Sequence, residues 1–144
     1  MKEALRELET IGAIDSDEKL TFLGRRISQF STHPRLAKVL AYSTIMGCVG
    51  PVVNIIATLS SPGSAWSINQ DSKKEVRLAK SRFHPDSDHL VMANLMEKFC
   101  QLKDRYNQDS FCQQHGTNPK SLQFQKGKIF QTFSRVYFIR TKSC

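Results

Sequence analysis

No run in this 144-residue chain approaches the roughly 18 consecutive apolar residues of a transmembrane helix, so no membrane span is expected. Cysteine is sparse. Cys48, Cys100, Cys112 and Cys144 lie far apart with no CxxC pair. That spacing fits none of the standard structural zinc patterns, and it suits reduced thiols better than a disulfide framework. The opening Met1-Lys2-Glu3-Ala4-Leu5-Arg6 lacks the apolar stretch of a signal peptide, which predicts an intracellular protein, nuclear or cytoplasmic. Strand-like alternation, internal repeats and low-complexity tracts are also missing, and this argues for an all-α fold. Lys126-Gly127-Lys128 is not a P-loop, because that motif needs GxxxxGK[ST] between a strand and a helix, and Ile129 follows inside a helical pattern. No paired carboxylates and no nucleophile–base arrangement stand out.

What the chain does contain is a core-forming share of apolar residues, 40%, and a formal net charge of +8. The charge is unevenly placed. Residues 1–31 carry five basic and six acidic side chains, whereas residues 119–144 carry six basic side chains and no acid. A basic stretch attracts nucleic acid or an acidic partner, and the alternative is a solvated tail.

Apolar spacing predicts seven or eight helices. Met1, Leu5, Leu8 and Ile11 share one face, and Gly12 suits a left-handed cap. Thr21 is placed to cap a second helix bearing Leu20, Leu23, Ile27 and Phe30, and Gly24 within it implies a close neighbour. Pro34 opens a third through Leu36, Val39, Leu40 and Ser43 to Gly47. Gly50-Pro51 starts, and Ser60-Ser61-Pro62-Gly63 stops, a helix apolar on every side, the expected centre of the domain. A loop with the single tryptophan, Trp66, leads to a capping box at Ser72-Lys73-Lys74-Glu75 and a stripe of Val76, Ala79 and Phe83. Asp86-Ser87-Asp88 caps the next helix, with Val91, Leu95, Phe99 and Leu102 inward. A short helix around Phe111-Cys112 ends at His115-Gly116, and Asn118-Pro119 opens the last, burying Leu122, Ile129, Phe133 and Val136.

Ser87-Asp88-His89 places three triad residue types side by side, but chain neighbours do not face one another, and serine and aspartate ahead of an apolar run are ordinary caps. Cys112 and His115, with Cys100 and His89, offer metal-ligand types without metal-ligand spacing, and buried helix cysteines are ordinary core residues. Neither catalysis nor a metal is expected. Basic residues near helix starts are the better binding candidates. Arg25 and Arg26 lie on the second helix, Arg35 and Lys38 share a face of the third, and helix N-termini at Ser87 and Asn118 offer backbone donors to phosphate. For Arg35 and Lys38 the competing reading is a structural contact.

Taken in order, these signals resemble a family. Ala4-Leu5 with Leu8, Leu20-Thr21-x-Leu23-Gly24-Arg25 and Pro34-Arg35-Leu36-Ala37-Lys38 look like the segment that follows the motor of DEAH-box RNA helicases. Cys48 with Ile55-Ile56-Ala57-Thr58-Leu59-Ser60 is similar to that family's central helix. Phe83-His84-Pro85-Asp86-Ser87-Asp88-His89-Leu90 with Asn94 resembles its SDHL element, and Phe111-Cys112, Leu122 and Gln131-x-Phe133 fit the end of the same region. The resemblance implies the C-terminal half of a winged helix over residues 1–33, a ratchet-like helical bundle of about seven helices over 34–137, and a basic tail over 138–144. It further implies packing against two RecA-like motor domains and a share in lining a single-stranded RNA channel. RNA-binding candidates are then Arg25, Arg26, Arg35, Lys38, Ser87, His89, Asn94, Lys126 and Lys128.

ATP and magnesium are implied only for the motor domains, since this sequence has neither a P-loop nor a DEAH box. No cofactor is expected here, and no ATP hydrolysis or unwinding by this chain alone. It reads as a fragment of a helicase or a free-standing accessory module that guides single-stranded RNA. The alternative is a protein-interaction domain that docks on motor domains or a helicase cofactor protein without touching RNA. A hydrolase built on Ser87, Asp88 or His89 is the remote third reading. The chain departs from the family at His33, where an acidic residue is usual, and in the missing tryptophan of the SDHL helix, where Phe99 substitutes. From Tyr137 to Cys144 the likeness ends.

Overall fold

Capping chemistry decides where each helix starts and stops. In the computed structural model the backbone is described for residues 2–67 and 73–141, and side chains for all of these except 73–75 and 137–141. Eight helices occupy the described residues: α1 (Lys2–Thr10), α2 (Phe22–Ile27), α3 (Pro34–Met46), α4 (Val49–Leu59), α5 (Lys73–Ser81), α6 (Asp88–Gln101), α7 (Arg105–His115) and α8 (Pro119–Thr141). The fold is all-α, as expected. Its extended pairings among the described residues are two isolated bridges, Ile14 with Leu20 and Trp66 with Thr117. The parts of the sequence reading that involve Met1, Ser72 and the side chains of 73–75 and 137–144 lie outside the described residues.

The chain divides into two compact units, one running to Val49 and resumed from Thr132, the other Gly50–Gln131. In the first, Gly12 takes a left-handed φ of 74° and turns the chain out of α1. The Asp15 carboxylate accepts the backbone N–H groups of Asp17 and Lys19, closing a polar turn. Thr21 then works twice, donating to the Gly12 carbonyl at 2.6 Å and accepting from the Gly24 amide at 3.0 Å. Because Thr21 is the cap, α2 begins after it, and Leu20 sits outside the helix and 55% exposed instead of extending its apolar stripe. Ile27 and Phe30 do face inward, joined by Ile11, Ala13, Ile14, Ala37, Leu40 and Val136. Val39 is an exception to the predicted stripe of α3, which buries Ala37, Leu40 and Ser43 and turns Val39 outward.

In the second unit the centre lies on α6, not α4. Leu95, Met96 and Phe99 are wholly buried, with Val91 and Ala93 beside them. α4 buries Val53, Ile56 and Ala57 but leaves Leu59 exposed and Val52 and Ile55 half-buried. Apolar composition on every side of a helix does not require burial on every side, since folded surfaces are themselves largely apolar. Asn54 donates to the Ala93 carbonyl at 3.3 Å, so the polar group of α4 finds its partner on α6. The loop after α4 is stitched to the α7–α8 turn by Asn118 N–H to Ala65 O (2.8 Å) and Ser67 N–H to Gly116 O (2.9 Å). Trp66 is thereby set against Phe83, ring centroids 6.4 Å apart.

Candidate functional site

The nine binding candidates divide between the two units. In the first, Arg25 and Arg26 fall in the last turn of α2, where cations suit the negative end of the helix dipole. The Arg26 guanidinium stands 5.2 Å from the centroid of the Phe22 ring. On α3, Arg35 Nε donates to Glu7 Oε1 at 2.7 Å, and His33 Nε2 lies 3.8 Å from the same oxygen. Lys38 Nζ donates to the Ile11 carbonyl at 2.8 Å, with the Tyr42 ring 5.8 Å away. Arg35 and Lys38 therefore hold α3 to α1 and the turn after it. His33 takes the N-cap position without a side-chain cap bond, so Pro34 at the first helical position carries the start of α3.

In the second unit the turn between α5 and α6 gathers Ser87, His89 and Asn94. Ser87 Oγ accepts from the Leu90 amide at 3.3 Å, capping α6. His84 Nδ1 accepts from the amides of Asp86 and Ser87, and Asn94 donates to the Phe83 carbonyl at 2.9 Å. Asp88 pairs with Lys80 at 3.1 Å, and His89 is exposed. Ser87 and Asp88 are thus occupied separately, as a cap and an ion pair, and the cluster lacks the shared geometry of a triad. The role of His84 as a backbone acceptor was not foreseen; its place before Pro85 was the available signal.

Lys126 and Lys128 stand on α8. Lys126 Nζ donates to the Leu102 carbonyl at the end of α6 (3.3 Å) and lies 5.8 Å from the Phe99 ring centre. Lys128 Nζ is 5.8 Å from the Phe124 ring centre. Phe124 and Phe130, off the face predicted to be buried, are 49% and 76% exposed. Gln125, by contrast, is buried, and Gln123 donates to Gln108 on α7.

Cys112 is buried, and burial pushes its thiol above the ordinary range. Cys100 is raised by the same cause, opposed by the Lys126 charge. His115 packs its ring on Phe111 and Phe83, centroids 4.5 and 5.1 Å away, and its Nδ1 has no hydrogen-bond partner. Burial, then the charges of Arg82 and Lys98, lower its pKa from the ordinary 6.5. Among the described residues no three His, Cys, Asp or Glu side chains come together as metal ligands. A shallow concavity of about 560 Å³, lined by Ser67, Tyr106, Asp109, Cys112, Gln113 and Thr117 among others, contains none of the nine candidates. No described helix is long and apolar enough to cross a membrane.

Two family models match the chain. Residues 4–31 match the winged-helix helicase associated domain (HA2), and residues 33–92 match the ratchet-like helicase associated domain (HA2). The pre-mRNA-splicing factor ATP-dependent RNA helicase prp22 of Schizosaccharomyces pombe is 34% identical over 116 residues, 80% of this chain and 10% of that protein. ATP-dependent RNA helicase DHX30 of Homo sapiens is 30% identical over 140 residues, 94% of this chain and 12% of that protein. DExH-box ATP-dependent RNA helicase DExH1 of Arabidopsis thaliana is 32% identical over 124 residues, 85% and 12% of the respective lengths. The chain spans about a tenth of the length of the curated relatives it matches. Both matched models describe the region associated with the helicase and not its catalytic motor. The chain belongs to the helicase-associated (HA2) family, winged-helix and ratchet-like, of the DEAH/DExH RNA helicases.

Proposed function

We propose that this module guides single-stranded RNA and couples it to RecA-like motor domains, with no motor of its own. The observation that carries the reading is the coincidence of the two helicase-associated matches with a stretch, residues 119–144, holding six basic side chains and no acid. Cations along a helix attract the phosphate backbone, and exposed aromatic rings beside them offer stacking surfaces to unpaired bases. Arg25, Arg26, Arg35, Lys38, Ser87, His89, Asn94, Lys126 and Lys128 are the proposed contacts. Within the module, residues 1–33 act as the winged-helix segment, 34–137 as the ratchet-like bundle and 138–144 as a basic tail. Its place of work is inside the cell, in the nucleus or cytoplasm, where RNA and motor are found.

Fluorescence anisotropy with a labelled single-stranded RNA at low and moderate salt tests the reading. Binding that weakens steeply with salt is expected. No binding at low salt would sink the RNA role.

One observation favours a second reading, a domain that docks on motor domains or a helicase cofactor protein. Val39, Tyr42, Ile45 and Met46 form an exposed apolar face of α3, with Ile45 81% and Met46 77% accessible. Pull-down with separately expressed RecA-like domains, comparing the chain with its Ile45→Asp variant, tests that face. Under the docking reading the variant loses capture and stays folded.

A further inference from the structure

The exposed side of α8 carries an arrangement that the cations alone do not explain. Phe124, Gly127 and Phe130 follow one another at i, i+3 and i+6, a row that runs obliquely round the exposed surface of the helix. Both rings are exposed, and a Cβ placed on Gly127 would meet no atom within 4 Å. Gly127 therefore answers no packing demand inside the protein, although glycine is a poor helix former. It leaves bare backbone between two aromatic rings whose Cα atoms are separated by about 9 Å of helical rise. Beside this row, Lys120, Phe124 and Lys128 recur at i, i+4 and i+8, with the Lys128 ammonium above the Phe124 ring. Residues 119–144 contain no acidic side chain.

Rings that interrupt a basic row are the makings of a single-strand site. Each base presents a π-face to stack, and each phosphate presents a charge to the lysines. We infer that Phe124 and Phe130 are a stacking platform for bases of single-stranded RNA across the open backbone at Gly127, with Lys120 and Lys128 on the adjoining phosphates. The inference rests on the RNA-guiding reading above and gives it an address. Of that reading's contacts it retains Lys128 and adds Lys120 and the two rings.

The test uses the 144-residue chain, a 5′-labelled mixed-sequence RNA of about 12 nucleotides, and anisotropy titrations across a salt series. Replacing both rings (Phe124→Ala with Phe130→Ala) is expected to weaken binding about tenfold or more, with the slope of log affinity against log salt unchanged. Replacing both lysines (Lys120→Gln with Lys128→Gln) is expected to make that slope shallower by about 2. Gly127→Gln puts a side chain in the gap, and its Cβ meets no other atom within 4 Å. It is expected to weaken binding like the ring variant, and it decides the matter if the ring variant does not fold. Wild-type affinity in the ring variant and in Gly127→Gln overturns the platform while the RNA reading stands. Failure of the unaltered chain to bind at low salt overturns both. If the ring variant loses capture of RecA-like domains and keeps its RNA affinity, the row is a protein contact and the platform is overturned.

Discussion

A Cβ placed on Gly24 would stand 1.9 Å from the carbonyl oxygen of Ala13, far inside any van der Waals contact. The same carbonyl accepts the Thr21 amide at 3.0 Å, and the neighbouring Gly12 carbonyl accepts the Thr21 hydroxyl. The turn after α1 is therefore pressed flat on the first turn of α2. Gly24→Ala forces two backbones apart and is expected to cost about 2–3 kcal/mol, read as a lower urea midpoint. Gly127→Ala, made in open space within a helix, is expected to raise stability by about 0.5–1 kcal/mol. Equal effects at the two glycines would refute the close approach.

Asn94 lies within the SDHL resemblance, and its amide is already committed to the Phe83 carbonyl. Asn94→Ala leaves that half-buried carbonyl unpaired and is expected to cost about 1–2 kcal/mol in chemical denaturation. Ser87→Ala removes the α6 cap and is expected to cost about 1 kcal/mol. RNA titrations on the same two variants separate a direct contact from a scaffold role. A scaffold residue lowers stability and leaves the affinity of the folded fraction where it was.

Burial assigns the centre of the second unit to α6. Leu95→Ala is expected to cost about 2–5 kcal/mol, and Leu59→Ala, on the exposed end of α4, under about 1 kcal/mol. Ile56→Asp buries an unpaired charge at a position only 3% accessible and is expected to unfold the unit. Circular dichroism melts distinguish these outcomes. A soluble, cooperative Ile56→Asp variant would show α4 to be dispensable.

His115 gives stability a pH dependence with a definite sign. Its folded pKa is lowered by burial and by Arg82 and Lys98, so the unfolded chain takes up the proton more readily. Above the ordinary value of 6.5 both states hold the ring neutral, and stability is full. As pH falls through 6.5 toward the folded value, stability is lost. His115→Phe, which keeps an aromatic ring against Phe83 and Phe111, is expected to remove this group's share of the loss between pH 7.5 and 5.5. Urea midpoints at the two values, for both proteins, provide the check.

Much of the fold was legible because its signals are local. Thr21, Ser87 and Asn118 cap helices where the residue pattern placed them, since a cap needs only a short polar side chain within a turn of free amides. Gly12, Gly47 and Gly116 end helices with positive φ for an equally local reason. The order of these signals along the chain was enough to point to the helicase-associated family.

Which apolar residues meet one another was not legible. Val39 and Leu20 look as buriable as Leu40 and Ile27, yet they face water, because exposure depends on what neighbouring elements supply and not on the residue itself. For the same reason α6 displaced α4 as the centre. The sequence could not show that Arg35 reaches Glu7 and Lys38 the Ile11 carbonyl, across 28 and 27 residues of chain. Phe124 and Phe130 lie off the face predicted to be buried on α8, and the packing of that helix leaves both rings exposed. The amino-acid sequence by itself determined the helices, their ends and the family, all properties of short-range chemistry and its order. Only the tertiary structure decided which side chains are core, which are tethers and which are open to a partner, because those are relations between residues distant in the chain.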